Sequence, residues 1–300
     1  MDKARLNILT GLLSVAVAMA LVAIKLWALA ATGALSVAAS LADSAVDLMV
    51  SAAATGAMIY AARPPDEDHA FGHTSAEDLA ALAQGVFIAI SGLVIGAMAV
   101  QRLLVPATAG LGDERLGLWV MGLSVALTLG LVIWQGRALR KTGSRVVAAD
   151  RLHYLGDMVP TLGAILSLWA SKTFGLAQVD SVVALAAAAF MVLASFKIGK
   201  GAFDALMDRR ADPAVIAGIA KIAAAWPGVH GFHDLKTRTA GSRTFVNLHI
   251  ELDGEQSLRE AHAIGAALRR AILEAYPQTD VIIHKDVARE PASGADDTKR

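Results

Sequence analysis

No cysteine occurs in the 300 residues, so the chain can form no disulfide and offer no thiolate; any metal ion it binds must be held by Asp, Glu or His. Net charge is absent as well. Twenty-seven Lys and Arg balance twenty-seven Asp and Glu, which removes the basic footprint expected of a nucleic-acid partner. Charge of either sign is scarce at 18%, and aromatic residues make up only 5%. What fills the chain instead is aliphatic: 55% of it is hydrophobic and the mean hydropathy is +0.52. That is too apolar for a soluble protein of this length and fits a polytopic membrane protein.

Six apolar runs reach the roughly 20 residues needed to cross a bilayer core. They cover residues 7–31, 35–62, 78–105, 115–137, 146–172 and 177–200. A secretory signal is the alternative for the first, with Lys3 and Arg5 ahead of it and small residues near Ala18 and Ala20; the run continues to Ala31, longer than a signal core. Basic residues at the helix ends set the orientation. With a cytoplasmic N-terminus, that side collects Lys3, Arg5, Arg63, Arg137, Arg140, Lys141, Arg145, Lys197, Lys200, Arg209 and Arg210, against Arg102, Arg115 and Lys172 opposite. Both termini are then cytoplasmic. Lys25, inside the first run, is expected to snorkel outward or pair with an acid.

A charge near the bilayer centre costs several kcal/mol and usually faces protein or a water-filled path. The second run nevertheless contains "LADSAVD", with Asp43 and Asp47 one turn apart on one face. The fifth repeats that spacing in "DRLHYLGDMVP", with His153 and Asp157. Because the two helices run in opposite directions and each pair begins about eight residues, roughly 12 Å, from its helix start, Asp47 and Asp157 come close to the midplane. Packed together, the helices present three carboxylates and one imidazole, enough for a four-coordinate divalent ion such as Zn²⁺. Interhelical hydrogen bonds holding the bundle together are the alternative.

Two further concentrations lie outside the apolar runs. In the loop "PPDEDHAFGHTSAED", Asp66, His69 and His73 fall at intervals of three and four and converge at the start of a helix, with Asp68 and Glu77 nearby. A solvated polar loop is the plain alternative. After Arg210 the composition changes, and residues 212–287 read as a small soluble α+β domain. "DPAVIAGIAKIAAAW" opens on an N-cap and N1 pair, a strand is expected near Val229–Arg238, and "TFVNLHIEL" alternates, with Val246, Leu248, Ile250 and Leu252 on one face. The amphipathic "SLREAHAIGAALRRAILEAY" and the strand "DVIIHKD" complete an αββαβ order, and the last dozen residues read as a disordered tail. The expected domains are 1–208, 209–287 and the tail 288–300. His284 and Asp286 share a strand face as paired ligands, and His249 lies on the polar face of its strand; ordinary surface histidines are the alternative.

Taken together, the chain resembles the cation diffusion facilitators, a family of proton-coupled divalent-metal exporters, and most of all their bacterial zinc and iron efflux members. The resemblance is carried by "LADSAVD", "HYLGD", "DEDHAFGHTSAE", "HDLKTR", "LHIEL" and "DVIIHKD", and runs from about residue 7 to 287. It implies six transmembrane helices and a cytosolic ferredoxin-like, metallochaperone-like αββαβ domain, in the bacterial inner membrane. It implies a transport site of Asp43, Asp47, His153 and Asp157 and a loop site of Asp66, His69 and His73. It further implies a two-metal cytosolic site of His233, His249, His262, His284 and Asp286, around which two copies of the chain associate. Where the family commonly has Gly and Lys after the second loop histidine this chain has Thr74 and Ser75, and His230 is an additional histidine beside His233.

The expected chemistry is transport and not catalysis, with metal ions as cargo and as regulatory ligands and with no organic cofactor. Metal and protons compete for the same carboxylates and imidazole, so a site opening alternately to two sides gives antiport. His153 is the best candidate for a ligand that also carries a proton. An O₃N donor set suits Zn²⁺ and Cd²⁺ and also admits Fe²⁺, Mn²⁺ or Co²⁺. The rival functions are a membrane-anchored metal sensor or scaffold, which has no use for ionisable residues at midplane depth, and a metal channel without proton coupling.

Overall fold

The computed structural model describes residues 3–32, 35–104, 114–158 and 179–288. The chain forms two compact units, Met1–Leu206 and Met207–Arg300.

The first unit is helical. Its elements are α1 (Lys3–Thr32), α2 (Leu35–Ala61), α3 (Ser75–Leu104), α4 (Glu114–Thr142), α5 (145–158) and α6 (Val179–Leu206). Local chemistry ends several of them. Pro64 and Pro65 disfavour helical geometry just upstream, and α2 stops at Ala61. α4 closes on Gly143, whose φ of 70° only glycine adopts cheaply and whose N–H bonds the Leu139 carbonyl at 2.8 Å. Ser144 then opens α5, its Oγ accepting from Val147 N at 3.4 Å. Two residues therefore separate two helices.

Five described helices are long and apolar enough to cross a membrane. The fifth expected crossing, 146–172, is described only as far as residue 158; its remainder lies outside the described residues. Large apolar side chains such as Leu93, Phe196 and Trp119 project outward, as lipid permits and water penalises. Inside, α5 is the hub. Val146 and Val147 pack with Ala54 and Met58 of α2, Ala81 of α3 and Ala202 of α6. One turn on, Ala149 and Leu152 meet Ile88 of α3 and Met191 of α6, and Tyr154 meets Leu131 and Val132 of α4. Small residues let the helices close up, as at Gly85, where a Cβ would lie 3.4 Å from the Gly199 backbone of α6.

The second unit has the order α7 (Pro213–Ala224), β1 (Gly231–Ala240), β2 (Arg243–Leu252), α8 (Leu258–Ala275) and β3 (Thr279–Val287). The expected αββαβ succession is present, with β1 starting two residues later than the sequence suggested. Asp212 caps α7 by accepting from Ala214 N at 2.8 Å, and Pro213 takes the first helical position. Ser257 and Glu260 form a reciprocal capping box on α8. The sheet order is β1–β2–β3, with β1 antiparallel to β2 and β2 parallel to β3, so α8 serves as the crossover that a parallel pair requires. Val246, Leu248, Ile250 and Leu252 face inward against Ile219 of α7 and Leu268 and Ile272 of α8. Each such buried aliphatic side chain contributes about 2 kcal/mol. Alternation also leaves the other face of β2 to Asn247, His249 and Glu251. The terminal segment 289–300 lies outside the described residues.

Candidate metal-binding sites

Opposed polarity and helical spacing bring Asp47 of α2 beside His153 and Asp157 of α5. His153 Nε2 lies 3.1 Å from Asp47 Oδ1 and 3.7 Å from Asp157 Oδ2. Two ligands each ~2.1 Å from a tetrahedral ion are separated by about 3.4 Å, which these distances bracket. The imidazole is 4% exposed, and among the described residues neither ring nitrogen has an aligned hydrogen-bond partner. A buried polar atom rarely stays unsatisfied. Phe87 of α3 sets its ring edge to His153 at 5.8 Å between centroids, helping to hold the imidazole in place. The donor set fits a divalent cation as cargo. Asp43 stands apart: it is an exposed residue on the preceding turn of α2, outside the three-ligand cluster. The Lys25 ammonium donates across the helix interface to Ser40 O at 3.1 Å and Ser44 Oγ at 2.6 Å, with the charges of Asp47, Asp43 and Asp157 acting on it at longer range.

The loop residues converge. Asp66 Oδ1 accepts from the backbone N of His69 at 2.7 Å and lies 3.1 Å from its Nδ1, while Asp66 Oδ2 lies 3.1 Å from His73 Nε2. Gly72, at φ 84°, turns the chain so that His73 enters just ahead of α3. His73 is buried beneath the Tyr60 ring edge, with its Nδ1 unpartnered among the described residues. The N–H of His69 holds the Asp66 carboxyl below the usual carboxylate range. Ser75, in the place of the family's lysine, opens α3, and the ion pair at this end of the helix joins Asp78 to Arg145 of α5.

On the sheet, strand register does what helical spacing does in the membrane unit. His233 of β1 pairs with His249 of β2, which pairs with His284 of β3, so three imidazoles stand in a row across three strands. Asp286, two residues beyond His284 on the same face, closes the set. His249 Nδ1 is 2.9 Å from Asp286 Oδ2, His233 Nε2 3.3 Å from the same oxygen, and His284 Nε2 3.1 Å from Oδ1. The hydrogen bond from His249, followed by the charges of the surrounding histidines, depresses the Asp286 pKa. His233 is the member that joins the cluster; His230 is exposed, precedes β1 and contributes its backbone N–H to Glu251 O at 2.9 Å. His262 is exposed on α8, outside the clustered ligand sets among the described residues.

Two groups were not foreseen from the sequence. Asp234 joins His233 and His249 in a second potential ligand set because β1 bulges there, with Asp234 at φ 49° and the register shifting between His233 and Lys236. The adjacent "HD" was the only signal. The other is Asp150, 3% exposed and hydrogen-bonded to Ser51 and Gln135. Its position three residues before His153, on the same apolar run, was visible.

The family model described as cation efflux transmembrane domain matches residues 11–207, and that described as cation efflux protein, cytoplasmic domain, matches residues 211–287. The cation-efflux pump FieF of Yersinia enterocolitica is 38% identical over 283 residues, 94% of this chain and 93% of its own length. FieF of Pectobacterium carotovorum is 37% identical over 297 residues, 99% of this chain and 97% of its own. The metal-bound C-terminal domain of the CzcD transporter from Thermotoga maritima is 28% identical, covering 25% of this chain and 87% of that chain, with a TM-score of 0.24.

Proposed function

The chain belongs to the cation efflux family, and from that premise we propose that it exports divalent metal cations, Zn²⁺ foremost, across the bacterial inner membrane in exchange for protons. Asp47, His153 and Asp157 are the cargo ligands, with Asp43 completing the set in another state of the cycle. The observation that carries this reading is a buried imidazole between two carboxylates, without an aligned hydrogen bond, on α5 where it packs among α2, α3 and α6, three helices of membrane-crossing length. Such a site cannot hold a divalent ion and its full complement of protons together, because the ligands must be deprotonated to bind metal. If it faces the two sides in turn, metal leaves as protons enter and the reverse.

The C-terminal unit, on the cytoplasmic side together with both termini, binds metal at His233, His249, His284 and Asp286 and joins two copies of the chain. His262, exposed on α8 and outside this cluster in a single copy, is a further candidate ligand in the assembled pair. The loop set Asp66, His69 and His73 is a separate regulatory site. Proteoliposomes containing a metal-sensitive dye and subjected to an imposed pH gradient test the central claim. Gradient-driven zinc flux that disappears in His153→Ala is expected. Flux indifferent to the gradient would identify a channel, and absence of flux a sensor or scaffold.

A further inference from the structure

Asp150 lies three residues before His153 on α5, at the meeting point of four helices. Ser51 of α2 places its Oγ 3.1 Å from Asp150 Oδ1. Gln135 of α4 donates from Nε2 to Asp150 Oδ2 at 2.8 Å and to Ser14 Oγ of α1 at 3.1 Å. Tyr154, one turn along α5, has its hydroxyl 2.9 Å from Ser51 Oγ and 3.3 Å from the Ser14 carbonyl. Asp150, Ser51, Gln135, Ser14 and Tyr154 are all buried.

Three of these contacts form one continuous chain: Asp150 Oδ1 to Ser51 Oγ, Ser51 Oγ to the Tyr154 hydroxyl, and the Tyr154 hydroxyl to Ser14 O. Each contact needs a hydrogen, and the two hydroxyls supply only two. With Asp150 ionised, one contact in the chain has oxygen facing oxygen with no hydrogen between. One added proton on Asp150 Oδ1 fills all three: Asp150 donates to Ser51, Ser51 to Tyr154, and Tyr154 to the Ser14 carbonyl. No heavy atom has to move. Gln135 keeps both bonds in either state, because Asp150 Oδ2 remains an acceptor.

We propose that Asp150 is a proton-binding station separate from the metal ligands, loaded and emptied during transport, with the Ser51 and Tyr154 hydroxyls turning to accommodate its proton. This rests on the proton-exchange reading above and assigns one of its protons. The proton comes from water and returns to water, and the cluster alternates between a charge of minus one and zero. The groups facing it are His153 and Tyr154 from its own helix, Ser51 from α2, Gln135 from α4 and Ser14 from α1. Asp47 stands one turn from Ser51 along α2, and the Arg151 guanidinium turns to the Val132 carbonyl of α4. Asp150 thus sits one turn from the cargo ligands on both helices, where its charge and that of a bound cation act on each other.

The test uses the full chain in lipid nanodiscs, with zinc alone as the probe. Infrared difference spectra across pH should contain a protonated-carboxyl stretching band that is missing in the near-isosteric Asp150→Asn. That variant should still bind zinc but release one proton fewer per ion. Ser51→Ala, which removes the acceptor of the Asp150 proton without altering charge, should keep the band and shift its frequency. An identical band and proton count in the parent and Asp150→Asn would overturn the proposal. If Asp150→Asn does not insert, an unshifted band in Ser51→Ala overturns it instead. Zinc flux indifferent to a pH gradient, alongside a titrating Asp150 band, would fault the antiport reading and leave the station standing.

Discussion

The membrane cluster and the sheet cluster use the same donor types in opposite settings. In the first, one imidazole is buried between two carboxylates on two helices. In the second, three imidazoles share one carboxylate on an accessible strand face. The difference lies in what holds the ligands apart. Helix packing positions Asp47 against His153, so their separation changes whenever α2 and α5 shift. The backbone ladder positions His233, His249 and His284, at the fixed interval of neighbouring strands, about 4.8 Å. A site that must bind and release cargo suits movable supports; a site that reports or assembles suits a rigid one.

The sharpest way to break this contrast is to remove a membrane carboxylate. Asp47→Ala or Asp157→Ala should abolish metal flux and weaken binding at the membrane cluster by more than about 100-fold, beyond the effect of losing a mere orienting partner. Normal flux in proteoliposomes with either variant would remove the cluster from the pathway. Selectivity should change next most. His153→Asp makes the site all-oxygen, so the preference for zinc or cadmium over manganese should fall while some transport remains. An unchanged preference in competition assays would show that the imidazole does not ligate.

Replacing both His249 and His284 with Ala should lower the metal stoichiometry of the full chain, measured by equilibrium dialysis, and leave binding at the membrane cluster intact. Equal stoichiometry would erase the distinction between the two sites. The pH response of the sheet cluster follows from Asp286, whose folded pKa is depressed chiefly by the His249 hydrogen bond. Its stabilising contribution is therefore complete above the ordinary carboxylate range and is lost as pH falls through the depressed value. Without metal, hydrogen exchange in β2 and β3 should accelerate in that acidic window and less so in Asp286→Asn. The smallest effect belongs to the α8 cap: Ser257→Ala should cost about 1 kcal/mol, read as fraying of the first turn.

Spacing made half of each site legible. Asp43 with Asp47 and His153 with Asp157 follow from helical periodicity, and the alternation in "TFVNLHIEL" placed His249 opposite the buried Val246, Leu248 and Ile250. Facts that belong to two segments at once were not legible. Nothing local says that His233, His249 and His284 share a register, or that a bulge turns Asp234 toward them. Gln135 and Ser14 lie in separate apolar runs, and only the packing of α1, α4 and α5 brings them around Asp150. The separation of Asp43 from the other three ligands likewise depends on how α2 is rotated against α5, a tertiary fact.

The link between α4 and α5 bears on how such a machine can move. Gly143 and Ser144 are its whole length, and a chain extends at most about 3.5 Å per residue. The adjoining ends of the two helices therefore cannot part company, and Gln135 reaching Asp150 fastens them again two turns further in. If His153 faces the two sides in turn, as proposed, α4 and α5 must move together near this link. A cross-link within the hairpin should then leave the transport rate untouched, while one from α5 to α2 should stop it.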